Sequence, residues 1–214
     1  FIVMVALWVY YDNSLREFLI SLGFLLAGVP IYFLLLFYFD PSVYLTIKRS
    51  FAPFLRFWEV VTLSPSVRDE IYDKVGSVQD KQILEFGCGG GSLTLDLAEK
   101  TLPNGHVYSV DSVSVSVVSL QRKLQESSII NVTVIHDEHQ VNRVYPGVPS
   151  VDIVVSVHML AHIQDLKKVL HEMHSLLHEG GRVCFKDIRD IFKVLPNVRW
   201  VADPETVVQI MKEV

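Results

Sequence analysis

The sequence predicts an α/β fold: a doubly wound, mostly parallel sheet. Three observations carry that prediction. From Ser66 onward short apolar runs alternate with helical patterns, a glycine-dense turn joins the first run to its helix, and the next runs end in polar residues suited to ligands. A long uncharged stretch precedes this pattern, so the α/β domain is expected to follow an N-terminal transmembrane helical segment.

Composition limits the partners. The chain has 214 residues, 50% of them hydrophobic, and a formal net charge of −5. Up to residue 66 the cations Arg16, Lys48, Arg49 and Arg56 balance Asp12, Glu17, Asp40 and Glu59, so the acidic excess belongs to the later domain. An acidic domain without a basic stripe argues against a nucleic-acid partner. The two cysteines, Cys88 and Cys184, offer neither a disulfide framework nor metal-ligand spacing.

Taken in order, residues 1–11 are mostly apolar and suit the end of a membrane helix, followed by a polar turn at residues 12–17. Residues 18–39 carry no charge over 22 positions, about 33 Å of helix, enough to cross a bilayer core. A buried core helix and a signal peptide are the competing readings. In residues 41–65 the aromatics Phe51, Phe54, Phe57 and Trp58 alternate with Lys48, Arg49 and Arg56. That mixture suits a juxtamembrane amphipathic segment with its cations on the cytoplasmic side, and packing on the domain core is the alternative. The expected division is therefore 1–40, a transmembrane hairpin; 41–65, the juxtamembrane segment; and 66–214, the α/β domain.

Within that domain a helix over residues 67–75 leads to a strand at 82–86. The turn and a helix at 92–102 follow, then Pro103, Asn104 and Gly105. Strands are expected at 106–110, 131–135, 151–157 and 182–185, with helices through 117–125 and 166–177, a turn at Gly180 and Gly181, and a last helix opening at Pro204.

The turn itself reads Glu85-Phe-Gly87-Cys88-Gly89-Gly-Gly91-Ser92. Glycine permits close approach of a ligand to the backbone, and the helix that follows aims free N–H groups at it. A dinucleotide fingerprint would need glycine where Ser92 stands. Asp111 closes the second strand 24 residues after Gly87, where an acid can take ribose hydroxyls, and Asp111 or Ser112 can also cap the next helix.

This pattern resembles motif I of the class I S-adenosylmethionine (SAM) dependent methyltransferases, which have a Rossmann-like fold. The resemblance extends through Asp111, His136-Asp137-Glu138-His139, the stretch Asp152 to His162, and Leu176 to Val183, where Glu179 replaces the family's usual proline. It implies SAM as cofactor, held by Glu85, Gly87, Cys88, Gly89, Gly91, Asp111, Ser112, Asp137, Glu138 and Ser156, with Asp137 facing the adenine amino group. It also implies that strand and helix continue into two further strands, which are missing before Val214. His158 and His162 are the catalytic candidates, as bases for an acceptor that must lose a proton. His171, His174 and His178 share a helix face by spacing, without the further ligands a metal site needs, so no metal is expected.

These readings combine into a membrane-anchored enzyme, its domain in the cytoplasm, methylating a small, lipid or quinone-like acceptor. The alternative is a transporter-derived membrane segment fused to a catalytically inactive SAM-binding module. In support of it, residues 27–33 loosely resemble the last helices of amino-acid permeases of the APC superfamily.

Overall fold

The computed structural model describes residues 22–24, 26–28, 30–32, 63–187 and 204–214. Most of the expected hairpin and nearly all of residues 41–65 lie outside these positions. Inside the expected span, residues 22–24, 26–28 and 30–32 are helical. Among the described residues no helix is long and apolar enough to cross a membrane. The chain divides into two units, Phe1–Tyr44 and Leu45–Val214, and the sheet belongs to the second.

The elements are α1 (Pro65–Val75), β1 (Gln82–Phe86), α2 (Ser92–Lys100), β2 (His106–Asp111), α3 (Ser114–Glu126), β3 (Val132–His136), β4 (Val151–Val157), a 3-10 turn (Leu160–His162), α4 (Leu166–Leu176), β5 (Leu177–Lys186) and α5 (Pro204–Glu213). The strands form one sheet in the order β3-β2-β1-β4-β5, and every pairing is parallel. The order reverses between β1 and β4, and ligands of such sheets bind at the carboxyl ends beside that switch.

Strand alternation builds two cores. Ile83, Val107, Ile153 and Val155 face Ile71 and Val75 of α1 and Leu93 and Leu97 of α2. Leu84, Phe86, Val110 and Val154 point the other way, onto Leu166, Val169, Leu170 and Met173 of α4 and Val207 of α5. Ile83 and Leu84 are fully buried, each contributing about 1.5–3 kcal/mol of transfer free energy. Cys88 packs with Leu120 and Leu124 of α3.

Two expectations need correction. Gly180 and Gly181 do not end an element before a short strand: β5 already begins at Leu177. Val151 pairs with Leu177 and Ile153 with Arg182, so two steps along β4 face five along β5, and the glycines lie in that bulge. The second concerns His178, which leaves the face of α4 and sits in β5 with Nδ1 3.6 Å from Asp152 Oδ1. His171, His174 and His178 therefore do not share one helix face.

Candidate cofactor site at the carboxyl ends of the strands

The turn after β1 hangs on two acceptors at the end of β2. Gly87 N and Cys88 N both donate to Val110 O, at 2.9 and 3.0 Å. Gly89 N donates to Asp111 Oδ2 at 2.7 Å, and Val113 N donates to Asp111 Oδ1 at 2.7 Å. Asp111 thus ties the glycine turn to the start of α3, whose N-cap is Val113. Neither Asp111 nor Ser112 is that cap, although the carboxylate does hold a backbone N–H there.

Glycine is required here for sterics as well as for approach. Gly87, Gly89 and Gly91 have φ of 94°, 53° and 83°, a region that carries a penalty for residues with a Cβ. A Cβ on Gly87 would lie 2.2 Å from Met159 Cγ, and one on Gly91 would lie 2.3 Å from Leu120 Cδ1. The first neighbour of Gly87 is therefore a side chain from the turn after β4.

The other candidates divide by location. Glu85 is buried beneath the turn, and its Oε2 accepts from Thr94 on α2 and from Ser109 on β2. It braces β1, β2 and α2 together. Ser156 is likewise buried, and its Oγ donates to Phe86 O at 2.9 Å. Ser112 accepts at its carbonyl from the ring of His136 at 3.2 Å when Nε2 carries the proton. Glu138 is exposed.

Asp137 is 4% exposed and already engaged. Arg143 donates to it through Nε, 3.1 Å from Oδ2, and through a terminal guanidinium nitrogen, 2.9 Å from Oδ1. His139 N adds a bond to Oδ1 at 3.0 Å. Burial raises the carboxyl, but Arg143 and the His139 N–H outweigh it and hold Asp137 below the usual carboxylate range.

On the β4 side, His158 takes φ of 57°, and its N–H donates to Lys186 O at 2.8 Å. Leu160 N donates to Asp187 Oδ2 at 2.9 Å, which anchors the turn carrying His162. Both histidines are half-buried at the carboxyl end of β4, beside the glycine turn. Met159 bridges the two turns.

Sequence reasoning missed Met159, Lys123, Arg143 and Asp187. Lys123 Nζ donates to Gly90 O and lies within the expected helix, where it reads as an ordinary surface cation. The charge of Arg143 six residues after Asp137 was visible, but no helical or strand period links them.

The acceptor capacity of Asp111 suits the ribose hydroxyls of an adenosyl cofactor. The Asp111 carboxylate uses one bond on each oxygen, and such a group has about four acceptor positions. Two surface grooves open elsewhere, one on α3 at Val115, Val118 and Arg122, the other between α1, α2 and Ile130. Neither groove is lined by a residue of the turn 87–91.

With this geometry in hand, the family model described as a methyltransferase domain matches residues 77–213. The chain belongs to the class I SAM-dependent methyltransferases. S-adenosylmethionine is the cofactor of that family.

The methyltransferase domain is 31% identical over 130 residues to a ubiquinone biosynthesis O-methyltransferase of Aeromonas salmonicida, covering 59% of this chain and 51% of the relative. It is 28% identical over 116 residues to a demethylmenaquinone methyltransferase of Geobacillus sp., covering 54% and 49%. The chain thus spans about half the length of the curated relatives it matches. In fold it is similar to a precorrin-6y C5,15-methyltransferase of Geobacter metallireducens, with TM-score 0.54, 15% identity and coverage of 71% and 70%.

Proposed function

We propose that this domain binds SAM at the turn 87–91 and catalyses methyl transfer to a small, quinone-like acceptor. The observation that carries the reading is the Asp111 carboxylate at the carboxyl end of β2, fixed by Gly89 N and Val113 N beside the glycine turn that follows β1. Gly87, Gly89, Gly91 and Asp111 would hold the cofactor, with Asp111 taking its ribose hydroxyls. When bound, SAM supplies an electrophilic methyl on a sulfonium, which leaves as a neutral thioether.

The chain's own residues then need only align an acceptor, exclude water and remove a proton. His158 or His162 accepts that proton from a hydroxyl of the acceptor. Met159, seated on Gly87, is the side chain that separates acceptor from cofactor turn and excludes water there. The quinone-like acceptor is supported by the names of the curated relatives, ubiquinone biosynthesis O-methyltransferase and demethylmenaquinone methyltransferase.

We further propose that residues 1–40 anchor the protein in a membrane, with residues 41–65 at its surface and the domain facing the cytoplasm. The uncharged run 18–39, the exposed side chains of Phe24, Leu26, Ile31 and Tyr32, and the cations Lys48, Arg49 and Arg56 support this. Methyl-labelled SAM supplied to membranes containing the chain is expected to label an extractable quinone fraction. Label confined to soluble compounds overturns the acceptor, and SAM binding without any transfer favours the inactive binding module instead.

A further inference from the structure

The glycine turn is gripped from a second side, by a residue that the cofactor reading does not use. Gly89 N is drawn to Asp111 at the end of β2. The carbonyl of the next residue, Gly90, turns instead to α3 and accepts from Lys123 Nζ at 2.5 Å. Lys123 lies one helical turn beyond Leu120, so the two side chains project from one face of α3. Leu120 is fully buried, and its Cδ1 would stand 2.3 Å from a Cβ on Gly91. α3 therefore presents an apolar wedge and a cation to the same peptide unit.

That unit runs from Gly90 C=O to Gly91 N–H and is free to rotate unless something holds it. Glycine stands on both sides, and Gly91 takes φ of 83°, so no Cβ opposes a flip that exchanges the directions of carbonyl and N–H. In the observed setting both ends are satisfied: Gly91 N donates to Cys88 O at 2.9 Å, and Gly90 O receives the ammonium. A flip would lose both bonds and turn the Gly91 N–H toward Lys123, donor against donor. Gly91 is also the N-cap of α2, and its carbonyl takes the Leu95 N–H at 3.1 Å. The setting of this one peptide thus governs how the turn enters the helix.

We infer that Lys123 is a positioning residue for the cofactor: its ammonium locks the Gly90–Gly91 peptide in the orientation that SAM requires, without itself contacting SAM. This rests on the SAM reading above. A charged donor on a carbonyl is among the stronger hydrogen bonds, and Lys123 is half-buried, its stem laid along the protein. Without the lock the turn divides its population between settings, and the apparent affinity falls with the competent fraction. The rate at saturating SAM is spared, because bound cofactor restores the setting.

The test compares the full chain with Lys123→Met, Lys123→Arg and Arg122→Met by calorimetric titration with S-adenosylhomocysteine. Lys123→Met keeps most of the apolar stem, removes the charge and should weaken binding about tenfold. Lys123→Arg keeps a cationic donor and should recover a large part of that loss. Arg122→Met removes the neighbouring, exposed cation and should stay within about twofold of the parent. With methyl-labelled SAM and membranes as the acceptor source, the KM for SAM should rise in Lys123→Met while the saturated rate stays within about twofold. Lys123→Gln stands in if the methionine variant does not fold.

Unchanged affinity in Lys123→Met, an arginine variant no better than the methionine one, or an equal loss in Arg122→Met overturns the inference and leaves the SAM reading standing. A fall in the saturated rate at unchanged KM assigns Lys123 to the transfer step and overturns it as well. No binding of S-adenosylhomocysteine by the parent chain removes the SAM reading itself, and the inference with it.

Discussion

The turn after β1 and the turn after β4 stand on adjacent parallel strands, yet they are held by different means. The first is a run of glycines whose N–H groups converge on Val110 O and the Asp111 carboxylate. The second has a histidine at φ of 57° and is tied sideways, through Lys186 O and Asp187, to the end of β5. On the proposed function the difference suits two tasks: a cofactor that stays the same calls for a rigid backbone cradle, whereas an acceptor site is shaped by side chains. Met159 is where the two turns meet.

Gly87→Ala is expected to break this arrangement most severely. The new Cβ would meet Met159 at 2.2 Å in a left-handed conformation, so unfolding free energy should fall by about 2–4 kcal/mol in denaturant titrations. Adding Met159→Ala should recover part of that loss. A single variant within about 0.5 kcal/mol of the parent would show that the turns do not touch as described.

Asp187→Ala sharpens the contrast from the other side. Losing the acceptor of Leu160 N should cost about 1–2 kcal/mol and speed amide exchange at Leu160, while affinity for S-adenosylhomocysteine stays within about twofold. Equal damage to cofactor binding would mean that the two turns form one unit.

The smallest effect is acid sensitivity at Asp137. Its folded pKa is depressed, with burial opposing and Arg143 prevailing. The stabilisation is therefore complete above the unfolded-state value of about 3.9 and is lost as pH falls through the lower folded value. Arg143→Gln should flatten stability between about pH 5 and 2 relative to the parent. An identical acid limb in both proteins would assign that loss to other carboxylates.

The same contrast explains what was legible. Apolar runs such as Ile83-Leu84 and Val151 to Val157 announce buried parallel strands, and β1 and β4 have the expected bounds. Glycine spacing marks the first turn, because the chain there needs backbone conformations that few other residues accept. The second turn shows no such sign: His158 takes a positive φ without being glycine, and its support from Asp187 lies far along the chain. Polar residues were found but not their directions: among the candidates, Glu85 accepts from Thr94 and Ser109, and Ser156 donates to Phe86 O. The bulge in β5 was hidden because a Gly-Gly pair reads as a turn whether or not strand pairing continues across it.

The central claim is that Asp111 and the turn it fixes form the cofactor cradle. Calorimetry of S-adenosylhomocysteine binding to the parent chain and to Asp111→Ala, with far-UV circular dichroism confirming the fold, tests it most directly. The account predicts saturable binding by the parent and at least about a tenfold loss in the variant, as expected when charge-assisted hydrogen bonds are removed. Equal affinity in the two folded proteins would contradict it.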